Sequence, residues 1–260
     1  MMKKKTFPFF AAMMLIQVVA FSQSNDFYGV ASIGSNFSLG NFGKAELRDG
    51  SLHNWALFND SKLGGAGIGA NANFMLAKRI SGIEELSTFV SIEFFFSPLN
   101  KTMRDFKERY EVENINSHDK YEQQFPVYLN IPLFAGLRYD IYTSNRNIYI
   151  FTELGLGADM HVITDHSEYY NMYKHSSEAY SYDEDFRTKF SFATTVGAGV
   201  VFLEHIQVGL HYHYLGSTRV ISDLETVSYS KQGDKATNNQ ANRLGVVTPH
   251  LLSLRIGYIF

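Results

Sequence analysis

The feature that most constrains this chain is a series of long segments in which apolar residues alternate with polar or small ones. The clearest is His250–Phe260, where the even positions are apolar or aromatic and the odd ones include Ser253, Arg255 and Gly257. Because successive side chains of a strand point to opposite faces, this alternation predicts a strand with one apolar face.

Eight segments of 11 to 17 residues show this alternation. Connections of 24 residues or more alternate with connections of nine or fewer, and the chain begins with a long one. Short periplasmic turns and long extracellular loops are typical of outer-membrane barrels, in which closure leaves no strand edge unpaired. We therefore predict an all-β fold, an eight-stranded antiparallel up-and-down transmembrane β-barrel. The segments are Phe27–Phe37, Gly64–Leu76, Leu86–Ser97, Val127–Asp140, Asn147–Ile163, Thr188–Phe202, His205–Leu215 and His250–Phe260.

The N-terminal residues predict export. Three lysines at positions 3–5 precede an apolar run from Phe7 to Val19, and small residues follow. This order is typical of a secretory signal, with cleavage expected between Ser22 and Gln23. The alternative is a membrane anchor, but the run is shorter than the roughly 20 residues that span a bilayer. The sequence thus predicts a signal peptide at 1–22, a barrel domain at 23–260 and the cell outer membrane as the location.

Composition narrows the possible functions. The net charge of −3 offers no basic excess for nucleic acid, and the absence of cysteine excludes disulfides and thiol chemistry. The less apolar face of the segments is rich in Gly, Ser and Ala, which suits a crowded lumen and makes lipid the partner of the other face. The alternative is a soluble exported barrel with its apolar face inside. Aromatic residues at segment ends, such as Phe190 and Phe202, match the interfacial girdles of a membrane barrel.

Charged residues on the small-residue face are the main site candidates. Seven are expected to point inward: Glu93, Arg138, Asp140, Glu153, Asp159, Lys189 and Arg255. Counting from the periplasmic strand ends puts Glu93, Glu153 and Arg255 at similar heights, which predicts a lumenal ion-pair cluster. A structural plug is the favoured interpretation. A selectivity filter in a small passive, porin-like channel for ions or small solutes is the alternative.

Two enzymatic or metal-binding interpretations are weaker. His161, His205, His211 and His213 share the inward face with Asp159, and histidine is the commonest metal ligand. His213 also precedes Ser217 by four residues, but no acid is placed to orient the histidine for acyl hydrolysis. We expect no enzyme, no catalytic residue, no metal and no cofactor.

The long connections differ in composition. Five tyrosines lie among acids and serines between Glu168 and Asp185, which predicts a contact surface for an extracellular protein or glycan. The polar stretch from Gly216 to Thr248 is expected to be a mobile loop.

Several segments resemble PorT-like outer-membrane β-barrel proteins, whose architecture is of the OmpA/OmpX type. They are the signal ending AFSQ, the first strand GVASIGSNFS, the segment PVYLNIPLFAGLRY and the terminal LLSLRIGYIF. The resemblance implies a membrane barrel whose last strand is recognised by the barrel-assembly machinery, and it places that signal on Tyr258 and Phe260. The expected role is structural or interactive, and we expect a monomer.

Overall fold

A computed structural model describes residues 26–46, 63–117, 120–143, 147–171, 178–230 and 234–260. The predicted signal peptide, with its cleavage site at Ser22 and Gln23, lies outside these ranges. Within them the chain forms thirteen strands and one helix. In chain order these are β1 (Phe27–Ser38), β2 (Gly69–Ile80), β3 (Ile83–Ser97), α1 (Lys101–Ser117), β4 (Lys120–Gln124), β5 (Tyr128–Tyr142), β6 (Ile148–Ile163), β7 (His166–Asn171), β8 (Glu178–Phe186), β9 (Lys189–Phe202), β10 (Ile206–Tyr214), β11 (Thr218–Ser230), β12 (Lys235–Val247) and β13 (His250–Ile259).

Eight of these strands close into an antiparallel barrel, in the order β1-β13-β10-β9-β6-β5-β3-β2. The barrel closes where β1 pairs with β13, with Gly34 opposite Arg255. When only the eight barrel strands are considered, each strand is hydrogen-bonded to the barrel strands before and after it in the chain. The topology is therefore up-and-down. The predicted fold class is confirmed.

The largest difference from the predicted strand boundaries is in the second barrel strand. The second barrel strand begins at Gly69 rather than Gly64, and it continues to Ile80 rather than Leu76. The glycines before it serve close packing instead of strand pairing. Gly64 lies against Phe42, and a Cβ on Gly67 would lie 2.8 Å from the carbonyl oxygen of Leu99.

The long connections build a second sheet beyond one end of the barrel. Its five antiparallel strands have the order β12-β11-β8-β7-β4. Strands β7 and β8 extend the β6–β9 connection, and β11 and β12 extend the β10–β13 connection. The expectation of a mobile loop from Gly216 to Thr248 is therefore wrong, because β11 pairs with both β8 and β12 along most of its length.

Helix α1 lies in the β3–β4 connection and was not expected from the alternation pattern. The side chain of Asn100 accepts a hydrogen bond from the backbone N–H of Met103 at 3.0 Å, which is an N-cap. Ion pairs one turn apart, Lys101 with Asp105 and Lys107 with Glu111, add support on its surface. In the part of the chain that the structure describes, no helix is long and apolar enough to cross a membrane.

Candidate functional site

The outer surface of the barrel is an apolar belt. Exposed apolar side chains occur on all eight barrel strands, and such a continuous surface is far larger than soluble proteins expose. Because the closed barrel also pairs its backbone, the molecule is a membrane-spanning barrel of the outer-membrane type. Members that are more than half exposed include Ile33, Val90, Leu133, Leu154, Leu156, Phe190, Phe192, Val196, Leu254, Ile256 and Tyr258.

Two ion-pair networks fill the barrel interior. In the first, Arg255 of β13 donates Nη1 to Oε1 of Glu93 at 3.0 Å and Nη2 to Oε2 at 2.6 Å. The same Nη2 lies 2.9 Å from Nε2 of His213, which must act as the acceptor because a guanidinium only donates. Asn73 donates to Glu93 from the neighbouring strand at 2.9 Å. We call Arg255, Glu93, His213 and Asn73 the upper network.

The second network is centred on Arg138 of β5. Its Nε donates to Asp140 at 2.9 Å, and its Nη1 donates to Glu153 at 3.0 Å and to Gln207 at 2.9 Å. Glu153 also lies 3.0 Å from Nε2 of His211. We call these five residues the lower network. The structure thus brings Glu93 and Arg255 together and pairs Glu153 with Arg138, so the three residues expected in one cluster are divided between two.

Aromatic rings enclose both networks. The guanidinium carbon of Arg138 lies 4.3 Å from the ring centre of Phe151, and that of Arg255 lies 5.6 Å from that of Phe95. The rings of Phe95 and His213 meet edge to face at 4.8 Å. Both arginines are almost completely buried. The interior is therefore occupied by paired charges between aromatic rings.

Glycines on the inward face make room for these side chains. A Cβ on Gly197 would lie 2.1 Å from the ring of His211, and one on Gly199 would lie 2.6 Å from the ring of Phe151. Neither position has space for a larger residue without displacing a ring. The small residues of the inward face accordingly allow the crowded interior that the sequence predicted.

The remaining histidines lie apart from each other. His161 contacts Asn130 at 2.5 Å and Asp159 at 3.2 Å near the long-connection end, whereas His205 stacks on Tyr258 at the short-turn end. Among the described residues, no three His, Asp or Glu side chains are grouped as metal ligands would be.

His213 and Ser217, the residues considered for acyl hydrolysis, make other contacts. His213 belongs to the upper network inside the barrel, where its Nδ1 lies 3.6 Å from Glu93. Ser217 is exposed, and its hydroxyl accepts a hydrogen bond from Thr248 at 3.0 Å. The inward residue Lys189 pairs in register with His161 on β6.

The predicted ion-pair cluster lacked four members of the lower network. Arg138, Asp140, Gln207 and His211 were on the inward face but were not assigned to an ion-pair site. The available signal was hairpin symmetry, because Arg138 and Glu153 are equally far from the middle of the short β5–β6 turn and are register partners.

No protein family matches the sequence, and no curated protein is significantly similar to it. Several solved structures are similar in fold. Neisserial surface protein A is 12% identical over 90% of this chain and 95% of its own, with a TM-score of 0.44. Ail, the attachment invasion locus protein of Yersinia pestis, is 12% identical over 90% and 99%, with a TM-score of 0.36. OprG from Pseudomonas aeruginosa is 9% identical over 90% and 95%, with a TM-score of 0.38. The resemblance to PorT-like proteins stays a prediction.

Proposed function

We propose that this protein is an outer-membrane barrel with a closed lumen that displays a folded extracellular sheet, in a structural or surface-interaction role without catalysis. The observation that carries this proposal is the pair of buried networks. Arg138 and Arg255 are each less than 5% exposed, and each is held by at least one carboxylate. An eight-stranded barrel is wide enough only for its own side chains, so paired charges between aromatic rings leave little room for a water path.

The five-stranded sheet is the proposed interaction element. Its strands are already paired before a partner binds. Binding therefore costs less conformational entropy than it would with flexible loops. Its β8 and β11 strands carry Asp183, Asp185, Asp223 and Glu225. Burial and these neighbouring acids, together with Asp165, raise the pKa of Asp185 above its usual value. An extracellular protein or glycan is the proposed partner.

The closed lumen is tested by conductance. We expect the purified protein in planar bilayers to show little steady conductance. An Arg138→Ala, Glu153→Ala double variant removes one charge of each sign from the lower network and should increase conductance, which verifies that an open lumen is detectable. Steady, ion-selective conductance in the unaltered protein would favour the passive channel.

We also propose that Tyr258 and Phe260 form the signal that the barrel-assembly machinery recognises. This part of the proposal rests on the resemblance to PorT-like proteins. The backbone of Phe260 exchanges two hydrogen bonds with Gly29, at 2.9 and 3.0 Å, which a side-chain substitution leaves in place. Phe260→Ala should therefore lower the folded amount in the outer membrane of cells, whereas Phe260→Tyr should not, because an aromatic anchor is kept. The same folded amount for both variants would exclude this role.

A further inference from the structure

The inner wall of the barrel lacks a side chain at Gly34 of β1. A Cβ at this position would lie 2.0 Å from the carbonyl oxygen of Leu254 on β13, so the backbone here has room only for glycine. Gly34 pairs in register with Arg255 of β13 on one side and with Asn71 of β2 on the other. These two side chains therefore border a bare position in the wall.

Polar atoms without a protein partner surround this position. Among the described residues, neither Oδ1 nor Nδ2 of Asn71 has a hydrogen-bond partner, and Nε of Arg255 has none either. The hydroxyls of Ser32 and Ser253 and Oδ1 of Asn36 are likewise unpartnered. Ser32 and Asn36 are the inward residues before and after the bare position on β1, and Ser253 pairs in register with Asn36. All five residues are at most 5% exposed.

The strand geometry places these groups close together. Inward residues of one strand are about 7 Å apart, and register partners on neighbouring strands are about 5 Å apart. The side chain of Arg255 reaches Glu93 on β3, and β1 and β2 lie between the two strands in the barrel wall. It therefore runs past Gly34. A small ligand at Gly34 is within reach of several of the unpartnered groups at once.

The chemistry of these groups selects a neutral ligand that both donates and accepts hydrogen bonds. The charge of Arg255 is balanced by Glu93, which accepts from both of its terminal nitrogens. An amide and two hydroxyls offer donors and acceptors together, whereas Nε of arginine only donates. Water meets all of these needs, and a buried water in a protein typically makes about three hydrogen bonds to groups that would otherwise be unsatisfied.

We propose that ordered water molecules bind at Gly34, held by Asn71, by Nε of Arg255 and by the hydroxyls of Ser32 and Ser253. They complete the hydrogen bonding of the arginine that holds Glu93, so they support the upper network from the side of β1 and β2. The site is a local cluster on one wall of the barrel. Its occupancy does not depend on whether the lumen conducts or on what the extracellular sheet binds.

The test is nuclear magnetic resonance of the full mature protein in non-ionic detergent micelles. Magnetisation should pass from water to the side-chain amide protons of Asn71, with the sign that marks long-lived bound water. Serine hydroxyl protons exchange with water and can give the same signal, so the measurement is repeated on the Ser32→Ala, Ser253→Ala double variant, in which the signal should remain. No transfer in the unaltered protein, or its loss in the double variant, would overturn the proposal.

A matched pair of substitutions distinguishes a hydrated amide from an unsatisfied one. Asn71 and Asn73 are successive inward residues of β2 with similar exposure, 5% and 6%, but Asn73 donates to Glu93. Asn73→Leu removes that bond and should lower the urea midpoint of unfolding. Asn71→Leu should lower it too because bonds to water are lost, whereas removal of an amide with no partner at all would raise it. A higher midpoint for Asn71→Leu than for the unaltered protein would overturn the water site.

Discussion

Replacing Arg255 with alanine is expected to lower the free energy of unfolding by about 3–5 kcal/mol. The substitution leaves the carboxylate of Glu93 buried with only the Asn73 amide at 2.9 Å and His213 nearby. A buried charge without its partner bears its full desolvation cost, which is larger than the value of the pair itself. Urea unfolding in lipid vesicles, followed by circular dichroism, measures the change.

Arg187→Ala is the control for this variant. Arg187 donates three hydrogen bonds to Asp223, at 2.8, 3.1 and 3.2 Å, but both side chains are about half exposed, so the loss should be at most about 1 kcal/mol. Adding Glu93→Gln to Arg255→Ala should restore part of the lost stability, because the stranded charge is removed. If Arg255→Ala were as mild as Arg187→Ala, the upper network would not be a buried ion-pair site.

The barrel could be predicted because its determinants are local. Side-chain alternation sets the two faces of each strand, and the alternation of short and long connections sets the topology. Leu254 and Ile256 face outward and Arg255 faces inward, as the period of two requires. The five-stranded sheet was missed because its strands, such as the Asn-rich β12, lack the sustained apolar alternation of the barrel strands.

The networks could be predicted only in part. Asn73 with Glu93, and Arg138 with Glu153, are register partners across short turns, so hairpin geometry alone brings them together. The bond from Arg255 to Glu93 is different, because β1 and β2 separate their strands in the barrel wall. Such a contact across the lumen depends on the stagger of all eight strands, which no single segment encodes.

Placing arginine at Leu254 is expected to destabilise the barrel by about 2–4 kcal/mol. Leu254 lies in the middle of β13, is about half exposed on the outer belt and pairs in register with Leu210 and Ser35. A charged side chain at this depth must displace lipid or bend towards the interface. The measurement is the free energy of unfolding in lipid vesicles, compared with that of the unaltered protein.

Val112 provides the control because it is exposed to a similar extent, 59% against 51% for Leu254, but lies on helix α1 outside the barrel. Val112→Arg places the same charge at an apolar position in water, and arginine is a better helix former than valine, so stability should not fall. Solvent exposure is matched between the two sites, and only the surrounding medium differs. Equal tolerance of both substitutions would mean that the belt faces water and that the barrel is a soluble exported protein.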